Sequence, residues 1–133
     1  MKMLSPRAHG FVDYAVAALF LLAPSLFGFG GLPETLCYIL GAAHLGMTLL
    51  TAFPLGAAKL IPFPVHGAIE ATVAVLLVAA PWLFGFDEEP AARSFYLVSG
   101  VAVGLVWLAT DYRSSYATTT ASARYRPEHR SFS

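Results

Sequence analysis

Two pairs of ionisable residues stand out in an otherwise apolar chain: His9 with Asp13, and His66 with Glu70. Within each pair the spacing is four, which on an α-helix sets imidazole and carboxylate on one face, about one turn apart. The second pair is a copy of the first, 57 positions on. If the two faces meet at one depth, two imidazoles and two carboxylates converge. Such a set binds a divalent metal such as zinc or relays protons, because imidazole titrates near neutrality and a neighbouring carboxylate fixes its tautomer. His9 and His66 could instead be the axial ligands of a haem b, with Gly10 and Gly67 leaving room for the porphyrin. A haem ordinarily lies deeper and among fewer carboxylates. The plainest reading, and the one expected first, is structural and needs no cofactor. Asp13 and Glu70 lie near helix amino termini, where negative charge is favoured, and each can accept a hydrogen bond from its own histidine. Pairs of that kind pin hairpins together or snorkel to headgroups.

The elements that must hold these residues follow from composition. The 133 residues are 57% hydrophobic and 12% charged, with a mean hydropathy of +0.65, values that do not suit a water-soluble domain. The apolar residues gather in four stretches of about 20, the length at which a helix rising 1.5 Å per residue crosses about 30 Å of hydrocarbon. Ionisable groups inside such spans face protein or water, which favours an inward cluster. Cys37 is the only cysteine, so an intramolecular disulfide is excluded. Lys2 and Arg7 ahead of an apolar run resemble a signal peptide, but the run from Ala8 to Phe29 is longer than a usual signal core and is nearly copied mid-chain, so it reads as a permanent span. There is no phosphate-cradling glycine loop, CxxC, GxSxG elbow or nucleic-acid module, and no nucleic-acid partner is expected.

The copy extends well beyond the ionisable pairs. APSLFGF at residues 23–29 returns as APWLFGF at 80–86, His9-Gly10 falls on His66-Gly67, and Pro33 falls on Pro90. One inserted residue later, at an offset of 58, Tyr38 meets Tyr96, and Ala42 and Gly46 meet Gly100 and Gly104. Prolines suited to first helical turns place the spans at about 6–27, 33–53, 64–85 and 90–112. The expectation is an all-α integral membrane four-helix bundle made of two parallel-repeat helical hairpins, about 6–53 and 64–112, within a transmembrane domain of residues 1–112. The heptapeptide reads as a helix exit. Pro24 and Pro81 free a carbonyl one turn back, Gly28 and Gly85 permit the turn, and Trp82, Phe29 and Phe86 suit the interfacial belt.

Ala42 with Gly46, and Gly100 with Gly104, form small-xxx-small stripes that let helices approach closely. His44 lies mid-span, and its counterpart at that offset is Ala102, so it breaks the symmetry. Two positions along a helix is about 200° of rotation. With the stripe inside the bundle, His44 points away from it, and a hydrogen-bonded oligomer contact is expected there; with the stripe as a dimer seam, His44 would face the core. Lys2, Arg7, Lys59, Arg113, Arg124, Arg126 and Arg130 lie at the end holding both termini and the middle loop, and only Arg93 lies near the other, with Glu34, Asp87, Glu88 and Glu89. By the positive-inside rule both termini are cytoplasmic. Residues 113–133, polar and basic, read as a mobile cytoplasmic tail, and Asp111, Tyr112 and Arg113 as a hydrated helix end.

With Ala80-Pro81-Trp82 and Ala23-Pro24-Ser25 at matching exits of two hairpins, the chain resembles the SPW-repeat family of small bacterial membrane proteins. That family is named for a Ser-Pro-Trp motif in the first helix of each two-helix repeat. Here Ala80 stands in the serine place and Ser25 in the tryptophan place. The resemblance covers about residues 6–112 and implies four spans in a bacterial cytoplasmic (inner) membrane, with no catalytic residues to carry over. The function expected is a non-enzymatic structural or accessory membrane component, bathed in lipid and self-associating as a homo-oligomer or joining a larger assembly. The rival is a protein that handles metal, haem or protons through His9, Asp13, His66 and Glu70.

Overall fold

The structure, a computed structural model, describes residues 3–113. It contains α1 (Pro6–Phe27), α2 (Leu32–Leu50), α3 (Phe63–Leu83) and α4 (Pro90–Ala109), with two-residue strands β1 (Thr51–Ala52) and β2 (Ile61–Pro62) between α2 and α3. Each helix carries proline in its first two positions, where the missing N–H costs nothing. Ser5 adds a side-chain cap to α1, accepting from the Ala8 N–H at 3.2 Å.

The helices pack as two hairpins, α1 on α2 and α3 on α4. On α1 the buried face is His9, Gly10, Asp13, Ala17, Phe20, Ala23 and Pro24; on α3 it is His66, Gly67, Glu70, Ala74, Leu77, Ala80 and Pro81, the same positions 57 residues later. Ala23 and Ala80 join one core with Phe20, Phe29, Phe86, Phe95 and Tyr96, so like positions of the two halves stand at like heights. Tyr96, fully buried, donates to the Pro33 carbonyl at 2.8 Å and ties hairpin to hairpin. Outside this core Leu22, Leu26, Val75, Leu76, Val98, Val101, Leu105 and Leu108 point away from the protein. An apolar exterior around a core that contains charges is the arrangement lipid selects. α1, α3 and α4 are long and apolar enough to cross a membrane; Glu34 and His44 make α2 less apolar, and it runs beside α1. The chain is a helical membrane protein.

Two expectations about the second helix of each hairpin are corrected. α2 and α4 end at Leu50 and Ala109, three residues short of 53 and 112. Both ends turn into short parallel pairings that satisfy terminal carbonyls: Leu60 N–H donates to Leu50 O at 2.8 Å, and Met3 N–H to Ala109 O at 2.8 Å. The register also differs. The buried Pro33, Cys37 and Gly41 of α2 correspond to the buried Ala92, Tyr96 and Gly100 of α4 at an offset of 59, two more than the 57 that relates the first helices. Gly41 is therefore the partner of Gly100. A Cβ on Gly41 would meet Phe20 and Leu21, and one on Gly100 would meet Val78 and Ala74. Gly104 lies beside Ala74, whereas Ala42 is exposed and Gly46 has open space beside it, so those two do not pack helices here.

The repeated heptapeptide does close each first helix, but its last phenylalanine, Phe29 or Phe86, turns inward. Gly28 and Gly85 are left-handed at φ 69° and 73°, and the following Phe29 and Phe86 donate to Pro24 O and Pro81 O. In this αL cap the residue after glycine folds back on the helix. Phe29 packs 5.8 Å from Phe95, and Phe86 packs 4.9 Å from Tyr96, both in the core instead of the interfacial belt. Of the three residues expected in the belt, Trp82 does stay outward, 57% exposed. The tail expected at 113–133 lies, apart from Arg113, outside the described residues.

Candidate functional site

His9 and Asp13 sit in the first two turns of α1, and His66 and Glu70 in those of α3, so the duplicated helices carry all four to one end of the bundle. All are buried, and one ligand atom from each lies within 4.8 Å of the other three. Asp13 is the hub: its Oδ1 is 3.1 Å from His9 Nε2, and its Oδ2 is 3.1 Å from His66 Nε2. Glu70 approaches His9 Nε2 at 3.2 Å, closer than the 4.0 Å to His66 in its own helix. The contacts thus cross between hairpins as well as running along each helix.

Two threonines absent from the sequence expectation orient the rings. His9 Nδ1 lies 2.8 Å from Thr110 Oγ1, and His66 Nδ1 lies 2.8 Å from Thr51 Oγ1. Each hydroxyl already donates its single proton one turn back, Thr110 to Val106 O at 2.7 Å and Thr51 to Met47 O at 2.6 Å. Each must therefore accept from the imidazole, which puts a proton on Nδ1, so that in the neutral ring it is the Nε2 lone pair that faces the carboxylates. Both Nε2 atoms and Asp13 Oδ2 are buried without a hydrogen-bond partner: the 3.1 Å approaches are out of line for one. Unpaired buried acceptors facing each other repel, and a cation between them reverses that sign. Donor atoms about 2.0–2.2 Å from a tetrahedral zinc stand roughly 3.3–3.6 Å apart. The separations of 3.1, 3.1, 3.2 and 4.0 Å bracket that value.

Signal for the threonines existed in the sequence. Leu49-Leu50-Thr51-Ala52-Phe53 and Leu108-Ala109-Thr110-Asp111-Tyr112 match at offset 59, but not at 58. The last residues of these two stretches complete the copy. Phe53 covers Gly10 and Tyr112 covers Gly67, where an added Cβ would collide with the rings. The space that a porphyrin would need beside those glycines is filled by the chain itself. Tyr112 is not a hydrated helix end: it donates to Glu70 Oε2 at 2.7 Å. Burial, then the adjacent Glu70 carboxylate, push its phenol above the ordinary tyrosine range, so it remains a donor.

His44 is also corrected. It faces inward, with Nε2 buried 3.6 Å from Asp13 Oδ1 and its ring 6.2 Å from that of His66. Gly41 is the packing position, and His44, three residues on, shares its face. Beside it lies a cavity of about 100 Å³, lined by apolar residues from all four helices and, among polar groups, by His44 and Glu70. That volume is far below a porphyrin.

Fold and site together define a class: a small helical membrane protein of two duplicated hairpins, with imidazoles and carboxylates buried between its halves. The SPW repeat domain matches residues 7–110, and the chain belongs to the SPW repeat family. No curated protein and no solved structure matches it.

Proposed function

We propose that this protein is a metal-binding component of the bacterial cytoplasmic membrane, with both termini in the cytoplasm, and that His9, Asp13, His66 and Glu70 hold one divalent transition-metal ion. The observation that carries this reading is the pair of threonine-oriented imidazoles, whose unpaired Nε2 atoms converge on two carboxylates. Two neutral imidazoles, two carboxylates and a divalent cation sum to no net charge, which relieves the cost of holding Asp13 and Glu70 away from water. Nitrogen and oxygen donors suit zinc and its neighbours. With two ligands from α1 and two from α3, the ion fastens the hairpins together, so an accessory role and metal binding are one function.

Metal analysis and zinc titration of the detergent-purified full chain test this. One ion per chain is expected, with binding lost in His9→Ala and in His66→Ala. A protein that takes up no metal, and whose His9→Ala variant only loses stability, would leave the four residues as a structural ion-pair cluster.

A further inference from the structure

Among the groups at the site, the one without a counterpart is informative. Across the duplication His9 answers to His66, Asp13 to Glu70 and Thr51 to Thr110. At offset 59 His44 answers to Val103, and both line the same cavity. Packing at that place therefore asks only for a branched apolar side chain, and the imidazole is an addition to the shared plan. Its Nε2 is buried with no hydrogen-bond partner, an unfavourable state unless something binds the lone pair or its proton. Outside the group of four, it still lies 3.6 Å from Asp13 Oδ1, a distance like the 3.1–4.0 Å of the imidazole–carboxylate contacts within the group.

We propose that His44 is a third imidazole ligand of the metal, and the exchangeable one; this rests on the metal-binding reading above. The rings of His9 and His66 are fully buried, and each is held from behind by a threonine hydroxyl. His44 has no such support: Thr48 Oγ1 donates to its backbone carbonyl at 2.8 Å instead. Its side chain is 15% exposed and borders the cavity of about 100 Å³ walled by Val16, Phe20, Leu40, Ile69 and Val103. Swinging into that space releases the ion and opens one coordination position onto an apolar chamber. The ligand that fits there is small, uncharged and monodentate, with one nitrogen or oxygen lone pair. Such a molecule reaches the centre through the apolar part of the bundle without carrying charge into it.

Cobalt(II) substitution reads this directly. The full chain in detergent is titrated with cobalt(II) as wild type, His44→Val and His9→Ala, then with free imidazole; valine is chosen because Val103 shows that it fits the equivalent place. The expected result is one cobalt per wild-type chain, with the weak visible bands of a five-coordinate ion. His44→Val keeps the stoichiometry, shows the stronger bands of a four-coordinate ion and binds about tenfold more weakly. Added imidazole returns its spectrum to that of wild type. A His44→Val protein that binds cobalt with unchanged affinity and spectrum overturns the assignment, as does a four-coordinate His44→Val spectrum that imidazole leaves unmoved. If wild type and His9→Ala alike bind no cobalt, the metal-binding reading itself has failed and takes this one with it.

Discussion

Thr110→Val separates a threonine that merely packs from one that sets a tautomer. Valine keeps the branched shape, so no cavity opens, but the acceptor 2.8 Å from His9 Nδ1 disappears. With the tautomer unchanged, the buried N–H would be left unsatisfied, at about 1–3 kcal/mol. The ring has an escape: moving its proton to Nε2 places a donor 3.1 Å from Asp13 Oδ1, and the ring, no longer held by the hydroxyl, can turn into line with it. That rearrangement recovers part of the loss, so the metal-free protein should be destabilised by about 1 kcal/mol or less, the usual scale for membrane hydrogen bonds. The same rearrangement removes the lone pair that the ion needs. Zinc affinity should therefore fall about 10- to 100-fold, equivalent to about 1.4–2.7 kcal/mol. Competition with a coloured chelator measures the affinity, and thermal melts with and without zinc measure the stability. Thr51→Val, acting on His66 at the same 2.8 Å, should behave alike, and Thr110→Ser, which keeps the hydroxyl, should bind as wild type does. A Thr110→Val protein with undiminished affinity, or one that loses stability without losing affinity, would refute the tautomer argument.

The other expectations concern packing and topology. Gly100→Ala places a methyl 2.7 Å from Val78 and 2.9 Å from Ala74 O, and should lower stability by about 1–3 kcal/mol in a melt, whereas Gly46→Ala, with open space beside it, should stay within about 0.5 kcal/mol. Gly67→Ala sets a methyl 2.8 Å from the Tyr112 ring, so it should both destabilise by about 1–3 kcal/mol and weaken zinc binding by displacing the phenol from Glu70; unchanged affinity would separate Tyr112 from the site. Glu88→Cys should react with an impermeant maleimide from outside intact cells, against a silent background because Cys37 is fully buried; reaction only after permeabilisation would invert the orientation.

Much of the architecture was legible in the residue string because lipid leaves few options. An apolar stretch of span length must be a helix, a proline near its start and a glycine at its exit mark the ends, and a copied heptapeptide forces two equivalent hairpins. The meeting of His9, Asp13, His66 and Glu70 followed from spacing and duplication alone, since buried faces that repeat every 57 residues come to equal height. The tertiary structure decided matters that turn on a single residue of register. An offset of 58 between the second helices sets Ala42 and Gly46 in the packing stripe and His44 outside; the observed offset of 59 between their buried faces puts Gly41 in the stripe and His44 in the core. A shift of one residue on a helix is about 100° of rotation, enough to carry a side chain from lipid to protein. The proton positions were equally beyond sequence, because they depend on Thr51 reaching His66 and Thr110 reaching His9 across hairpins. Spacing could bring the four ligand residues together, but only three-dimensional contact could say which nitrogen of each ring is left bare.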